Sequence, residues 1–497
     1  MFKRALLGYF VLSFLAVWGI RAQGVCPLNG TGNSKLVCVL PQVYGLSGLG
    51  SGAGAPLLAD GHQAHFQSDF LTSFAPINEA VGTQVSQLPI ASPSSGITFV
   101  YDPALKTFSP STDENLGPIL GERAGTIGRN RLYLAFSYQY FQFDSIDGHD
   151  TSKLSSVFQH QVFPPPFPSP FIVSCPNQSG MPSKYAGNPC FVRDFVEATT
   201  NIDLTVHQYT IYATYGITKR FDISAAIPFL NVNMNVSSSA TIVPNAVAPP
   251  SPNFPGQVFH QFNPAVVPAC ANTPSGQACL QGSFSNAGAA TGIGDVVLRG
   301  KYEVYKGERL GVAGGVDVRV PTGDAQNFLG SGATGVKPFG VISYRARISP
   351  HAEVGYEWNG QSILAGGFVG PTATNNKASL PNRFIYIVGA DASLTKRLTA
   401  AFDIYGQRLF STAQLVSSPY TDLGKCSDTN CTTVTPGTTH PNFAVNNGVD
   451  INITNASLGL KFRAIGKLVL TGNVLLPMDD NGLRSKAIPL VGASYSF

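Results

Sequence analysis

Charge is what this 497-residue chain has least of. Asp, Glu, Lys and Arg make up 12% of it, about half the ~25% usual in soluble proteins. A formal net charge of +4 over that length offers no electrostatic footprint for nucleic acid. Methionine (4) and tryptophan (2) are scarce, and helix formers of the Glu/Lys/Met kind are thin, which argues against a helical bundle or coiled coil. An apolar share of 43% argues against a charged disordered chain. Long apolar runs are also missing. Beyond residue 20 no stretch of 18 apolar residues occurs, so no membrane-spanning helix is expected. Neither HExxH nor GxSxG nor His-x-Ser is present, so the common hydrolase signatures are absent. Glycine (52), proline (36), phenylalanine (32) and tyrosine (18) are abundant instead. That is the composition of a large β protein, in water or in lipid.

The first residues address the compartment. Lys3 and Arg4 precede an apolar run over residues 5–20, and Ala22-Gln23-Gly24 follows. These are the parts of a secretory signal peptide. Cleavage is expected after Gly24, with Ala22 as the other option, so residues 1–24 are read as the signal. Eight cysteines fall in close pairs: Cys26 and Cys38, Cys175 and Cys190, Cys270 and Cys279, Cys426 and Cys431. An even count in an exported chain reads as disulfides, and local pairing is the economical assignment. A metal site is the competing use, but no CxxC or His-rich partner accompanies any pair. No metal or cofactor is expected.

Residues 25–130 are Gly/Ser- and Pro-punctuated, with strand character only near 97–109, and are read as a periplasmic or luminal plug-like segment. From residue 131 the pattern turns to period two. Val296, Leu298, Tyr302 and Val304 alternate with Asp295, Arg299, Lys301 and Glu303; Val316, Val318 and Val320 alternate with Asp317 and Arg319. Ile342, Tyr344 and Ile348 alternate with Arg345 and Arg347, and Val354 and Tyr356 with Glu353 and Glu357. Side chains alternate across a strand, so each run has one apolar and one ionic face.

Twelve such runs are counted: 131–144, 201–217, 222–236, 294–305, 309–321, 336–348, 350–359, 383–395, 398–410, 449–463, 467–477 and 486–497. Every second connection is short, including Ser349-Pro350, and the others are long and hold most prolines and the later cysteines. This is the layout of an outer-membrane barrel. A soluble sandwich would need neither twelve long hairpins nor such one-sided loops. The expected fold is an all-β, transmembrane antiparallel β-barrel over residues 131–497. It has twelve strands, or fourteen if residues 97–109 add a hairpin, with long extracellular loops. The last strand carries Val491, Ala493, Tyr495 and Phe497 on one face, similar to the terminal signal read by barrel-assembly machinery. Outer-membrane lipid and that machinery are the expected partners, and the bacterial outer membrane the expected location.

On this reading Arg299, Lys301, Glu303, Asp317, Arg319, Arg345, Arg347, Glu353 and Glu357 face the lumen. Arg299 is expected near Asp317, and Arg345 opposite Glu353. Mixed signs argue against a strongly ion-selective porin. Tyr138, Tyr302, Tyr344, Tyr356, Trp358 and Tyr386 fit interfacial girdles. Gly330-Ser331-Gly332-Ala333-Thr334-Gly335 matches a dinucleotide fingerprint but leads into a strand, so a loop is expected. Asp147 and His149 would meet Asp479 and Asp480 if the barrel closes. A hydrolase is conceivable there, yet Asp-Gly and Asp-Asp-Asn-Gly read first as turns. No enzyme is expected.

Around Pro321-Thr322-Gly323-Asp324, Phe328-Leu329-Gly330-Ser331-Gly332-Ala333 and Gly355-Tyr356-Glu357-Trp358-Asn359-Gly360 the chain resembles a known group. It is similar to the phenol-degradation (meta-pathway) family of outer-membrane β-barrel transporters, from Gly292-Ile293-Gly294-Asp295 to Gly360. The resemblance implies passive uptake of small hydrophobic or aromatic compounds, with an amino-terminal segment plugging the lumen. Phe163, Phe167, Phe171, Phe254, Phe259, Phe262 and Phe328 are candidates to collect such a solute at the loop mouths, or to pack under the loops. The alternative is a non-transporting barrel whose cystine-rich surface loops serve binding or structure.

Overall fold

The computed structural model describes residues 35–40, 42–44, 66–67, 99–102, 107–110, 116–160, 190–250, 252–263, 267–365 and 377–497. The signal segment and its cleavage site, Cys26, Cys175, Phe163, Phe167 and Phe171 lie outside them. Twelve strands form one antiparallel ring. They are β1 (Leu132–Phe143), β2 (Phe195–Gly216), β3 (Phe221–Val243), β4 (Val296–Lys306), β5 (Leu310–Val320) and β6 (Gly335–Tyr344). The others are β7 (Ile348–Asn359), β8 (Asn382–Thr395), β9 (Leu398–Ser417), β10 (Phe443–Arg463), β11 (Leu468–Pro477) and β12 (Ile488–Ser496). Each pairs with the next, and β12 returns to β1 from Leu490↔Gln139 to Ser496↔Tyr133. Closure leaves no unpaired edge in hydrocarbon, which lipid would penalise. The hairpin Phe99–Asp102 with Thr107–Pro110 forms a separate two-stranded sheet, so it adds no strand to the ring.

Short turns join β2–β3, β4–β5, β6–β7, β8–β9 and β10–β11 at one end, the periplasmic end of such barrels. The β6–β7 turn lies at residues 345–347 rather than at Ser349-Pro350. The Ser349 hydroxyl accepts the Ala346 N–H at 3.2 Å and donates to the Ala346 carbonyl at 2.7 Å, which closes the turn. Ser349 and Pro350 therefore start β7, paired with Asp391 and Ala390.

Four strands, β2, β3, β9 and β10, run beyond their periodic segments, and in β2, β3 and β10 the two faces exchange polarity midway while the alternation itself continues. Toward the short-turn end, β2 turns Tyr209, Ile211 and Tyr215 outward, and β3 turns Ile223 and Phe229 outward. Their inward positions there include Gln208, Thr210, Thr214 and Asp222, beside the buried Tyr212 and Ala226. Toward the long-loop end the outward row becomes Asn201, Asp203 and Thr205 on β2, and Asn231, Asn233 and Asn235 on β3. Inward stand Leu204, Val206, Leu230, Val232 and Met234, all buried. Tyr209 pairs with Phe229, so the faces of both strands exchange polarity at one level. On β10, Leu458, Leu460 and Phe462 give way outward to Asn452 and Asp450, while Lys461 and Ser457 give way inward to Ile453 and Ile451. The run from Tyr209 to Ile217 measures about 26 Å along the strand at ~3.3 Å per residue, or roughly 20 Å of height at the ~40° strand tilt of membrane barrels, most of their ~25 Å apolar band. The lipid belt ends at Tyr209 and Phe229. Above it the strands stand in water and enclose a hydrophobic interior, as a soluble sheet does.

A further strand, Gln281–Ile293, continues β4 upward along β3. The register shifts between Ile293↔Phe229 and Val297↔Ala226. Pro228 has no N–H to offer at this point, and the Gly294 N–H reaches its carbonyl at 2.8 Å, as expected of a bulge beside proline.

Candidate functional site

The lumen has two storeys, and each follows from strand polarity. In the lower one, inward ionic residues on neighbouring strands meet directly. Arg299 on β4 pairs in register with Asp317 on β5 and grips it by two bonds, at 2.7 and 2.8 Å. Lys337 on β6 lies 3.1 Å from Asp317 and 3.5 Å from Glu353 on β7. Charge alternates across these four strands. Nearer the long loops, Glu357 takes Arg319 at 3.1 Å and Arg383 at 2.6 Å, and Arg383 donates to Gln407 at 2.9 Å. Glu303 sits 3.5 Å from Lys306. Such a wall neutralises itself, and among the described residues it creates no single-sign constriction.

Arg345 and Arg347 depart from the expected placement. They occupy the β6–β7 turn, half-buried and exposed respectively, and Glu353 pairs across the strand with Val341. The physical reason is the earlier turn, which carries both arginines to the rim.

Residues 116–130 cross this lower storey without helix or strand, so their backbone groups need partners on the wall. Leu116 N–H donates to Thr399 Oγ1 at 3.0 Å, Leu120 N–H to Asp403 at 3.2 Å, Ala124 N–H to Ser343 Oγ at 3.1 Å and Ile127 N–H to Asp222 at 2.8 Å. Glu122 bridges Arg299 at 2.6 Å and Lys301 at 2.7 Å. Lys301 also donates to the carbonyls of Arg123 and Gly125, and Arg123 pairs with Asp391 at 2.5 Å. Lys461 donates to the Pro118 carbonyl at 2.5 Å. Gly216 permits the exit: a Cβ there would lie 1.8 Å from the Gly128 carbonyl oxygen.

The upper storey is apolar and holds residues 36–40 and 42–44, entered by a short 3₁₀ turn, Leu36–Cys38. Leu36, Val37, Val39, Leu40, Val43 and Tyr44 are buried in one cluster with Leu204, Val206, Leu230 and Met234. Lys35 pairs with Asp324 at 2.7 Å, Leu36 N–H donates to Asn327 at 3.3 Å, and Asn286 donates to the Val39 carbonyl at 2.9 Å. Asp324 and Asn327 belong to the loop between β5 and β6, which folds over the mouth. That loop is organised by Asp295. One carboxylate oxygen accepts the Gly323 N–H at 3.1 Å, and the other accepts the Ser331 N–H at 2.8 Å and its hydroxyl at 2.5 Å. Gly330 approaches so closely that a Cβ would meet Asp295 at 2.3 Å. The glycine-rich motif is therefore a loop wrapped around a carboxylate, with no helix after it.

The remaining candidates are placed as follows. Cys270–Cys279 and Cys426–Cys431 are disulfides, and Cys38 and Cys190 are also disulfide-bonded. The sulfurs of Cys190, Cys426 and Cys431 lie within 4.8 Å of one another, which oxidised cysteine explains without a metal. Phe262 and Phe328 are fully buried, and Phe254 and Phe259 stack edge-on at 5.4 Å; these four pack under loops. Closure does bring Asp147 to the last hairpin. Its carboxylate accepts the N–H of Gly482 at 2.7 Å and of Leu415 at 2.8 Å, while the His149 ring lies against Phe443 at 4.5 Å. Both hold loops together. Sequence reasoning missed Glu122, Arg123 and Tyr44, which carry no periodic signal; a charged Glu-Arg pair in an otherwise neutral glycine-rich stretch was the only hint.

Residues 192–413 match the family described as "Putative MetA-pathway of phenol degradation". No curated protein matches the chain. Among solved structures it is similar to an outer membrane channel from Pseudomonas putida F1, at 11% identity over 75% of this chain and 98% of that one, with a TM-score of 0.37. It is also similar to a Pseudomonas aeruginosa FadL homologue (8% identity, 74% and 89% covered, TM-score 0.26) and to the Ralstonia pickettii toluene transporter TbuX (11%, 74% and 89%, TM-score 0.23). By its closed barrel, its lipid-facing belt and the family match, the chain is a bacterial outer-membrane β-barrel whose residues 192–413 carry the signature of that family.

Proposed function

We propose that the barrel admits small hydrophobic or aromatic compounds passively through its lumen, with residues 25–130 acting as its plug. One observation carries the reading: the wall of the upper storey is apolar, and the chain itself occupies the space it encloses with Leu36, Val39, Leu40 and Tyr44. A sugar or ion channel would line that level with polar groups, whereas an apolar solute needs an apolar antechamber. The family description points to the same class of compound. Below the chamber, residues 116–127 are held to the wall through side chains and by no sheet pairing among the described residues, so displacing them would break no strand pair of the barrel. Liposome swelling tests this, with aromatic and sugar solutes of equal size that bilayers exclude. The expected result is faster entry of the aromatic solute. Equal rates at the protein-free level would overturn the reading. The filled lumen equally favours a non-transporting barrel presenting its cystine-stapled loops, and the same measurement decides between the two.

A further inference from the structure

Resting on that reading, we infer that the upper chamber contains a phenol niche, formed by Phe158, Thr200, Ser238 and Phe284, which Tyr44 occupies as a tethered stand-in for a free hydroxylated aromatic ring. The niche is built by the wall alone. Thr200, Ser238 and Phe284 stand in one transverse row of the sheet, since Thr200 pairs with Ser238 and Phe284 pairs with Ser238 from the other side. Phe158 comes from the neighbouring strand Leu154–His160.

Hydroxyl placement is the telling feature. The inward residues of upper β2 are Val196, Ala198, Thr200, Ile202, Leu204 and Val206, and only Thr200 is polar. On upper β3, Leu230, Val232, Met234, Val236, Ala240 and Ile242 share their face with a single polar residue, Ser238. The two hydroxyls are 3.0 Å apart and both are buried. An apolar wall with one convergent polar pair is how small-molecule pockets fix orientation.

Tyr44 shows what fits. Its phenol oxygen lies 2.8 Å from Ser238 Oγ. Its ring meets Phe158 at 5.6 Å and 84° and Phe284 at 5.1 Å and 72°. Both are edge-to-face contacts of the favoured kind. Burial pushes the Tyr44 hydroxyl up to about 12, so the niche holds a neutral phenol and disfavours a phenolate. A free ligand has to displace one side chain, and the nearest ionic fastening, between Lys35 and Asp324, is partly exposed and therefore weak.

The test is ¹⁹F NMR titration of the full chain in detergent with 4-fluorophenol and, as the control lacking a hydroxyl, 4-fluorotoluene. Intact protein is expected to bind 4-fluorophenol saturably. Tyr44→Ala is expected to bind it about tenfold more tightly, because the competitor is gone, and to prefer it about tenfold over 4-fluorotoluene. Ser238→Ala in that background is expected to bring the preference to about one. Should the double variant misfold, Tyr44→Phe in the intact wall gives the second reading: it removes the competitor's hydroxyl and is expected to tighten 4-fluorophenol binding. Equal binding of the two probes would overturn the niche while leaving passive uptake through an apolar chamber standing. Binding to Tyr44→Ala with none to the intact protein would also overturn it, reducing the site to ordinary core packing. Failure of the swelling measurement, by contrast, removes the channel reading itself.

Discussion

At the scale of single residues, a few buried side chains hold the irregular parts. Asp295 fixes two turns of the β5–β6 loop with one carboxylate. Asp295→Ala leaves the Gly323 and Ser331 donors without an acceptor, at a cost of about 2–3 kcal/mol. Thermal unfolding is expected to fall by several degrees, with first proteolytic cleavage between residues 321 and 334; an unchanged melt would contradict the role. Tyr44 gives a pH prediction. Its hydroxyl is raised from 10.0 to about 12 by burial, so the stabilisation it contributes is complete below pH 10 and is lost as pH rises through about 12. The difference in ultraviolet absorbance titration between the native chain and Tyr44→Phe should show one step near 12. A step near 10 would place that phenol in water. Neither residue was legible as important from the sequence. Asp295 read as one more charge on an ionic face, and Tyr44 stood in a stretch without period, so only the folded contacts distinguish them.

At the scale of elements, the strands were the legible part. Alternation in β4, β5 and β7 located Arg299, Asp317, Glu353 and Glu357 on the inward face because period two is a direct consequence of strand geometry. The alternation hides which face meets lipid once the solvent outside changes. In upper β2 and β3 the inward residues become apolar and the outward ones polar, and a reader expecting one rule along the strand ends it too soon. Turn position failed at Ser349-Pro350 for a local reason, since a serine can close the turn before it. Among non-strand elements, residues 116–130 depend on Glu122. Removing one member of a buried ion pair costs about 3–5 kcal/mol, and Glu122→Gln leaves Arg299 and Lys301 facing a neutral amide. Hydrogen exchange over residues 116–130 is expected to rise at least tenfold while the amides of β4 and β5 stay protected; protection throughout would show that the backbone bonds suffice. The Cys270–Cys279 bridge closes a short loop above the lipid belt. Replacing both with serine removes about 2–3 kcal/mol by loop-closure entropy, which should appear as faster proteolysis of that loop with no change in barrel melting.

At the scale of the whole molecule, lipid meets an apolar belt, water meets a polar sheet above it, and the lumen is ionic below and apolar above. Residues 36–40 and 42–44 fill the apolar storey and residues 116–130 cross the ionic one. The low overall charge follows from this arrangement, because only one face of the lower strands needs ions and those ions satisfy one another. Composition and alternation therefore disclosed the barrel, whereas the filling of its lumen depended on a segment with neither period nor motif. The most direct test is the swelling rate of liposomes carrying either the intact chain or one lacking residues 25–130, with an aromatic solute that bilayers exclude. A lumen closed by its own amino-terminal residues predicts entry at least tenfold faster after the deletion, with the barrel still heat-modifiable on a gel. A folded, deleted barrel no more permeable than the intact one would contradict it.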